Sequence, residues 1–362
     1  MHPVIFGEHM AINLSVEALV RLAIQIASAI ILSFVAGPVA IFIARKLGAI
    51  DVPGSAAHKK HAAPTPLAGG LVLFLALPIL MVVFRLWDNP RILWLLAATS
   101  VILIFGLMDD IRGLSAPQKF VGQFIATGIV ILSGTYVRIL DSFHVPLAPW
   151  LIQTLDWAIT LFWLVGISNA FNLIDSMDGL VAGIAAISTG FLTITCFIFG
   201  QRELAQITAL LFGISLVLYF YNNTPARFFL GDSGTQTFGF LLAGIGILYT
   251  PPHLPQGSTW FLPILVLGVP IFDTTLVVVS RIRRRKPIFQ ADLAHTYHRL
   301  VKLGMAPCYA VLTIQVAAML LCSIAFIALS LTPQIASFIF LVVVLLGIGL
   351  IVFFERAVKI ET

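Results

Sequence analysis

Charge is what this chain has least of. Asp, Glu, Lys and Arg make up 10% of its 362 residues, where a soluble domain carries about a quarter. That shortage, with 59% apolar residues and a mean hydropathy of +1.04, excludes an ordinary soluble fold. Paired cysteines are also missing. Cys196, Cys308 and Cys322 lie in apolar runs without metal-ligand or disulfide spacing, so they read as packing residues. Residues 1–17 lack the basic stretch of a signal peptide, and the first apolar run is too long for one. Low-complexity tracts, a separate soluble domain and a clear internal repeat are absent too. The last absence weighs against a transporter built from inverted halves.

What remains is an all-α polytopic membrane protein, a single integral domain over residues 1–362. Eleven apolar spans are predicted, at about 22–44, 67–84, 92–108, 120–136, 152–167, 180–199, 204–221, 235–249, 260–280, 309–329 and 335–354. Basic residues orient them. Arg45, Lys46, Lys59, Lys60, Arg112, Lys119, Arg227, the Arg281–Lys286 run, Arg299, Lys302, Arg356 and Lys359 fall on one side. Arg21, Arg85, Arg91, Arg138 and Arg202 fall on the other. The skew predicts an extracytoplasmic N-terminal segment (1–21), a cytoplasmic C-terminus and a basic cytoplasmic loop at 281–305. That loop needs only anionic membrane lipid to explain its charge, and no nucleic acid partner is indicated.

The few carboxylates are concentrated at span ends on the side assigned to the cytoplasm. Asp109 and Asp110 end the third span. Neighbouring carboxylates repel unless a cation joins them, and hard oxygen ligands suit Mg²⁺; the bland alternative is a solvated loop paired with Arg112. Asn172, Asp175 and Asp178 recur every three residues, which puts them on one face if the stretch is helical. The competing role for Asp178 is a cap on the sixth span. Asp232 sits between Gly231 and Gly234 at a helix start, as a metal ligand or a cap. His295 and His298 stand one turn apart beside Arg299, and diphosphate contacts suit them better than zinc. The stretch from His58 to Gly70 either binds phosphate or merely obeys the positive-inside rule. Asp273, within the ninth span, is expected to face the bundle interior.

Taken together, the motifs resemble those of the polyprenyl-phosphate N-acetylhexosamine-1-phosphate transferases, glycosyltransferase family 4. Those that carry the likeness are Pro64-Thr-Pro66-Leu-Ala-Gly69-Gly70, Gly106-Leu-Met-Asp109-Asp110 with Lys119 and Gln123, Asn169 to Leu180, Asn222 with Pro225-Ala-Arg227 and Gly231-Asp232-Ser233-Gly234, and Pro270-Ile-Phe-Asp273 ahead of the basic loop. The resemblance implies transfer of an N-acetylhexosamine-1-phosphate, most commonly GlcNAc-1-phosphate, from a UDP-N-acetylhexosamine to undecaprenyl phosphate in a bacterial inner membrane. UMP leaves, and lipid-linked surface polysaccharide synthesis begins. It implies Mg²⁺, or Mn²⁺ in its place, on Asp232 and Asp109. Asp109 and Asp110 would hold metal or place the lipid phosphate, and Asp175 and Asp178 would serve the nucleotide or the metal's water shell. Lys59, His61, Lys119, Asn169, Asn172, Asn222, His295, His298 and Arg299 would bind substrate.

Two departures concern the sugar. Tyr297 stands where the family often has a histidine, and the three-histidine motif of the pentapeptide translocase branch is absent. The alternative class is an ion- or proton-coupled transporter, which would need its carboxylates near mid-membrane. Gly179-x-x-x-Gly183 is compatible with a homodimer without implying one.

Overall fold

The computed structural model describes residues 16–53, 63–142, 146–254, 259–287 and 294–358. Each predicted span falls on a helix. In order, these are α1 (Val16–Leu47), α2 (Gly69–Phe84), α3 (Pro90–Arg112), α4 (Ala116–Leu132), α6 (Pro149–Ile174), α7 (Leu180–Ile198), α8 (Arg202–Asn222), α9 (Gly231–Leu248), the pair α10 (Leu262–Val266) and α11 (Gly268–Arg283), α13 (Pro307–Ala328) and α14 (Pro333–Ala357). Two short helices, α5 (Ile139–Ser142) and α12 (Thr296–Lys302), and one antiparallel pairing of β1 (Ile50–Asp51) with β2 (Thr65–Pro66) complete the described elements. Seven of the helices are long and apolar enough to cross a membrane, and α2 and α4 are shorter apolar helices.

The ninth predicted span is broken into α10 and α11. Pro270 supplies the reason. It has no N–H, and its ring conflicts with the carbonyl four residues back, that of Val266. That carbonyl instead accepts from the Ser188 hydroxyl of α7 at 3.2 Å. A freed backbone group inside a membrane protein must find such a partner.

The helices sort by polarity. Asp232, Ser233, Thr235, Gln236 and Thr237 occupy the first two turns of α9, which packs against α2, α3 and α6. Surrounding helices, not lipid, therefore meet its polar turns. On α14, by contrast, only Ala336, Phe354 and Glu355 are buried, and many of its apolar side chains, among them Phe338, Leu341, Leu345 and Leu346, are exposed on the outside of the bundle. Gly179 and Gly183 pack within the chain: a Cβ on either would press on the Tyr219 ring, and one on Gly183 would meet Gln315 of α13.

Candidate active site

The site is built where α2, α3 and α9 meet backbone to backbone. Phe229 N–H donates to the Pro66 carbonyl at 2.9 Å, and the Phe229 carbonyl accepts from the Ala68 N–H at 3.0 Å. A Cβ on Gly70 would stand 2.5 Å from Ser233 Oγ, and one on Gly106 would stand 2.5 Å from Ser233 Cα. Larger residues at these points would force the helices apart. The glycine-ended turn at 66–70 is thus the seat of the Gly231–Gly234 segment. Lys59 and His61, the phosphate-binding candidates of the same loop, lie outside the described residues.

This approach separates the roles of the two adjacent aspartates. Asp110 accepts from the backbone N–H groups of Asp232 (2.7 Å) and Ser233 (3.1 Å) and from the Ser233 hydroxyl (2.5 Å). It closes the N-terminus of α9 from a neighbouring helix, which both the free N–H groups and the helix dipole favour. Gly231 makes room, with φ +70° and a Cβ position 2.6 Å from an Asp110 oxygen. Asp109 points the other way. Its Oδ1 accepts from the Leu114 N–H, and its Oδ2 lies 2.5 Å from Lys119 Nζ. The same ammonium is 2.6 Å from Asp232 Oδ2, which also accepts from Asn172 (3.1 Å) and Gln236 (2.9 Å).

A polar network extends behind Asp232. Gln236 Oε1 accepts from Gln123 at 3.0 Å, and Gln123 Oε1 accepts from Asn169 at 2.9 Å. The Thr235 hydroxyl donates to Asn172 Oδ1 at 2.9 Å. Five of the expected residues therefore converge: Asp109, Lys119, Asn169, Asn172 and Asp232. The sequence reading missed Thr235 and Gln236. One signal for Gln236 was available, since it lies four residues after Asp232 on the same helical face.

The repeat of three through Asn172, Asp175 and Asp178 is not one helical face. Helix α6 ends at Ile174, with Asp175 as its C-cap. Asp178 does not cap α7 either, because Gly179 is the N-cap, at φ +75°. The Thr224 hydroxyl meets Asp178 at 3.4 Å. Asp175 keeps part of its surface open but is hemmed in by protein. Burial, then the charges of Asp232, Asp178 and Asp110, push its carboxyl up to about 8. Asn222 is buried away from Asp232. It accepts from Gly179 N–H at 3.0 Å and donates to the Phe228 carbonyl at 3.3 Å, tying two loops together.

A second group lies in the 281–305 region, which contains α12 as well as loop. Asp273, buried on α11, accepts from Thr296 N–H at 2.6 Å and lies 2.8 Å from His295 Nδ1. With the carboxylate as acceptor, Nδ1 carries the ring proton and Nε2 remains for a ligand. The Tyr297 ring is buried 5.2 Å from that of His298. Burial and the charge of Asp178 push the Tyr297 phenol upward, which links this group to the Asp175–Asp178 turn. Arg299 has different neighbours from those expected. It is 0% exposed, and it donates to the Ala294 and Phe354 carbonyls, Ser280 Oγ and Glu355 Oε1. Its guanidinium fastens α12 to α11 and α14 and leaves no surface for a phosphate.

Among the described residues no three His, Cys, Asp or Glu form a metal cage. Mg²⁺ does not need one. It is commonly held by one or two carboxylates, with water and substrate phosphates filling its octahedron. Asp109 and Asp232 already share one cation, the Lys119 ammonium, so their oxygens are of the right kind and placement to hold a metal.

Comparison with known proteins agrees with this geometry. Residues 92–250, the stretch from α3 through α9, match the model of "Glycosyl transferase family 4". A probable undecaprenyl-phosphate N-acetylglucosaminyl 1-phosphate transferase of Bacillus subtilis is 29% identical, with 91% of each chain covered. A decaprenyl-phosphate N-acetylglucosaminephosphotransferase of Mycobacterium tuberculosis is 31% identical over 78% of this chain and 76% of its own. A phospho-N-acetylmuramoyl-pentapeptide-transferase of Geobacillus kaustophilus is 29% identical over 77% of this chain and 90% of its own. With its motifs assembled at one end of a helical membrane bundle, the chain belongs to glycosyl transferase family 4, the polyprenyl-phosphate N-acetylhexosamine-1-phosphate transferases.

Proposed function

We propose that the donor is UDP-N-acetylglucosamine, the acceptor undecaprenyl phosphate and the metal Mg²⁺, with the site open to the bacterial cytoplasm. The broader reaction, transfer of an N-acetylhexosamine-1-phosphate to a polyprenyl phosphate by a multi-pass membrane protein, is that of the family. One observation carries the reading. Asp109 and Lys119, Asn172 and Asp232, from three separate stretches of the sequence, meet at one end of the bundle. A transporter would need such groups near mid-membrane. The buried Asp273 also fits an enzyme better, since it is occupied with His295 and the start of α12.

In this reading an oxygen of the lipid phosphate attacks the β-phosphorus of the nucleotide sugar. The bond from that phosphorus to the bridging oxygen breaks, and UMP leaves with the electron pair. A phosphate monoester has a second pKa of about 6, so no strong base is required. The difficulty is bringing two anions together. Mg²⁺ on Asp109 and Asp232, when bound, offsets the diphosphate charge. Lys119 adds a positive charge at the same point, and Asn172 and Gln236 fix the Asp232 carboxylate. Asp175, whose carboxyl burial and the charges of Asp232, Asp178 and Asp110 push upward, serves the nucleotide. His295, oriented by Asp273, presents Nε2 to the diphosphate.

Purified protein given UDP-N-acetylglucosamine, undecaprenyl phosphate and Mg²⁺ is expected to release UMP in step with lipid-linked sugar. Chelation should stop the reaction and added Mg²⁺ restore it. UDP-N-acetylmuramoyl-pentapeptide should be a poor donor. Absence of UMP release across a panel of UDP-N-acetylhexosamines would defeat the proposal.

Orientation has its own test. In a Cys308→Ser background the remaining cysteines are buried. An impermeant maleimide added to intact cells should label Arg202→Cys and spare Ser115→Cys, which lies between α3 and α4 beside the site. Labelling of Ser115→Cys from outside would remove the site from cytosolic nucleotide sugars.

A further inference from the structure

Gln315 is the single amide of α13, a strongly apolar helix with no Asp, Glu, Lys, Arg or Asn. It stands well inside that helix, roughly 12 Å along it from Pro307 at about 1.5 Å per residue. The neighbouring buried residues of α13 are Ala310, Ile314 and Ala318. An amide among such residues is costly unless it is bonded. Its Nε2 donates to the Gly179 carbonyl at 3.0 Å, across 136 residues of sequence.

The acceptor does not need this bond. The Gly179 carbonyl already accepts from the Gly183 N–H in α7, also at 3.0 Å. What Gln315 adds is a hold on Gly179 from a further helix. Gly179 has φ +75°, and its own N–H donates to Asn222 Oδ1 of α8 at 3.0 Å. Side-chain amides from α8 and α13 therefore grip both backbone groups of this one residue.

Gly179 closes the turn between α6 and α7, on which Asp175 and Asp178 stand half-buried. Where that backbone runs decides where the two carboxyl groups are. Helix α13 also follows α12 directly, and the N-cap of α12 is His295. One apolar helix is thus tied to the aspartate turn through Gln315 and to the histidine segment through the chain.

We propose that Gln315 is a positioning residue for the nucleotide sugar: by holding Gly179 it sets where Asp175 and Asp178 stand, without touching substrate itself. This role depends on the nucleotide duty proposed above for the same turn.

The test is steady-state kinetics of the purified full-length chain in detergent, with UDP-N-acetylglucosamine and undecaprenyl phosphate varied in turn and a melting curve beside them. Gln315→Leu removes the amide at similar size. It should raise KM for the nucleotide sugar about tenfold, and leave kcat and KM for the lipid within about threefold of the parent. Gly183→Ala reaches the same bond from the other side, because a Cβ there would collide with Gln315 Nε2. It should raise the donor KM as well, and the two substitutions together should do no more than one alone. It decides the matter if Gln315→Leu does not fold. A lower melting temperature with an unchanged donor KM would make Gln315 an ordinary contact between helices and overturn the proposal. An equal rise in both KM values, or additive effects of the two substitutions, would overturn it too. Asp175→Asn separates the two levels. If it leaves the donor KM unchanged, the nucleotide duty of the turn fails, and the role of Gln315 with it. If it raises the donor KM and Gln315→Leu does not, the role of Gln315 alone fails.

Discussion

Asp232→Asn is expected to lower kcat/KM for UMP release about a thousandfold, on the order of 4 kcal/mol, while the protein still folds. The amide keeps the shape of the carboxylate and can still accept from Asn172 and Gln236. The charge is what is lost. Lys119 then has only Asp109 as a partner, and a metal has one carboxylate in place of two. The measurement is steady-state kinetics across a Mg²⁺ titration, with a melting curve beside it. A higher Mg²⁺ requirement at unchanged melting temperature is the expected pattern. Turnover within about tenfold of the parent at ordinary Mg²⁺ would take Asp232 out of the site.

Glu355→Ala should act on stability instead. Glu355 is 8% exposed and accepts from two arginines: Arg299 Nη2 at 2.5 Å and Arg283 Nε at 2.9 Å. Removing it leaves the Arg299 guanidinium buried without a counter-charge, at a cost of about 3–5 kcal/mol. The melting temperature should fall sharply. In whatever folded enzyme remains, KM for the nucleotide sugar should change little. Arg299→Lys should also lower the melting temperature, because an ammonium lacks the planar fork that reaches four acceptors. An Arg299→Lys protein of normal stability with a much raised donor KM would instead return Arg299 to phosphate binding, the role its sequence motif implies.

Composition and hydrophobic runs were enough to place the spans, because a segment crossing lipid must carry apolar side chains along its length and, as a helix, satisfy its own backbone. The break between α10 and α11 was also written in the chain as Pro270, though its consequence depended on Ser188 of α7 reaching the exposed carbonyl. Asp109, Lys119, Asn169, Asn172 and Asp232 stood out in the sequence as candidates because charge and amide groups at span ends are costly without a task, and the fold brings them into one polar network.

Their individual duties were not legible. Asp109 and Asp110 are adjacent and chemically identical, yet one faces Lys119 and Asp232 and the other caps α9. That division depends on the close approach permitted by Gly70, Gly106 and Gly231, which are remote from one another in sequence. Arg299 and Asn222 carried the look of ligand-binding residues, and burial turned them into fasteners between helices and loops. Local sequence determined which segments are helical and which polar groups stand at their ends, since backbone hydrogen bonding and burial in lipid act over a few residues. Only the tertiary structure decided which carboxylate meets a helix N-terminus and which shares Lys119 with Asp232, because Asp232 and the start of α9 come from a chain segment more than a hundred residues away.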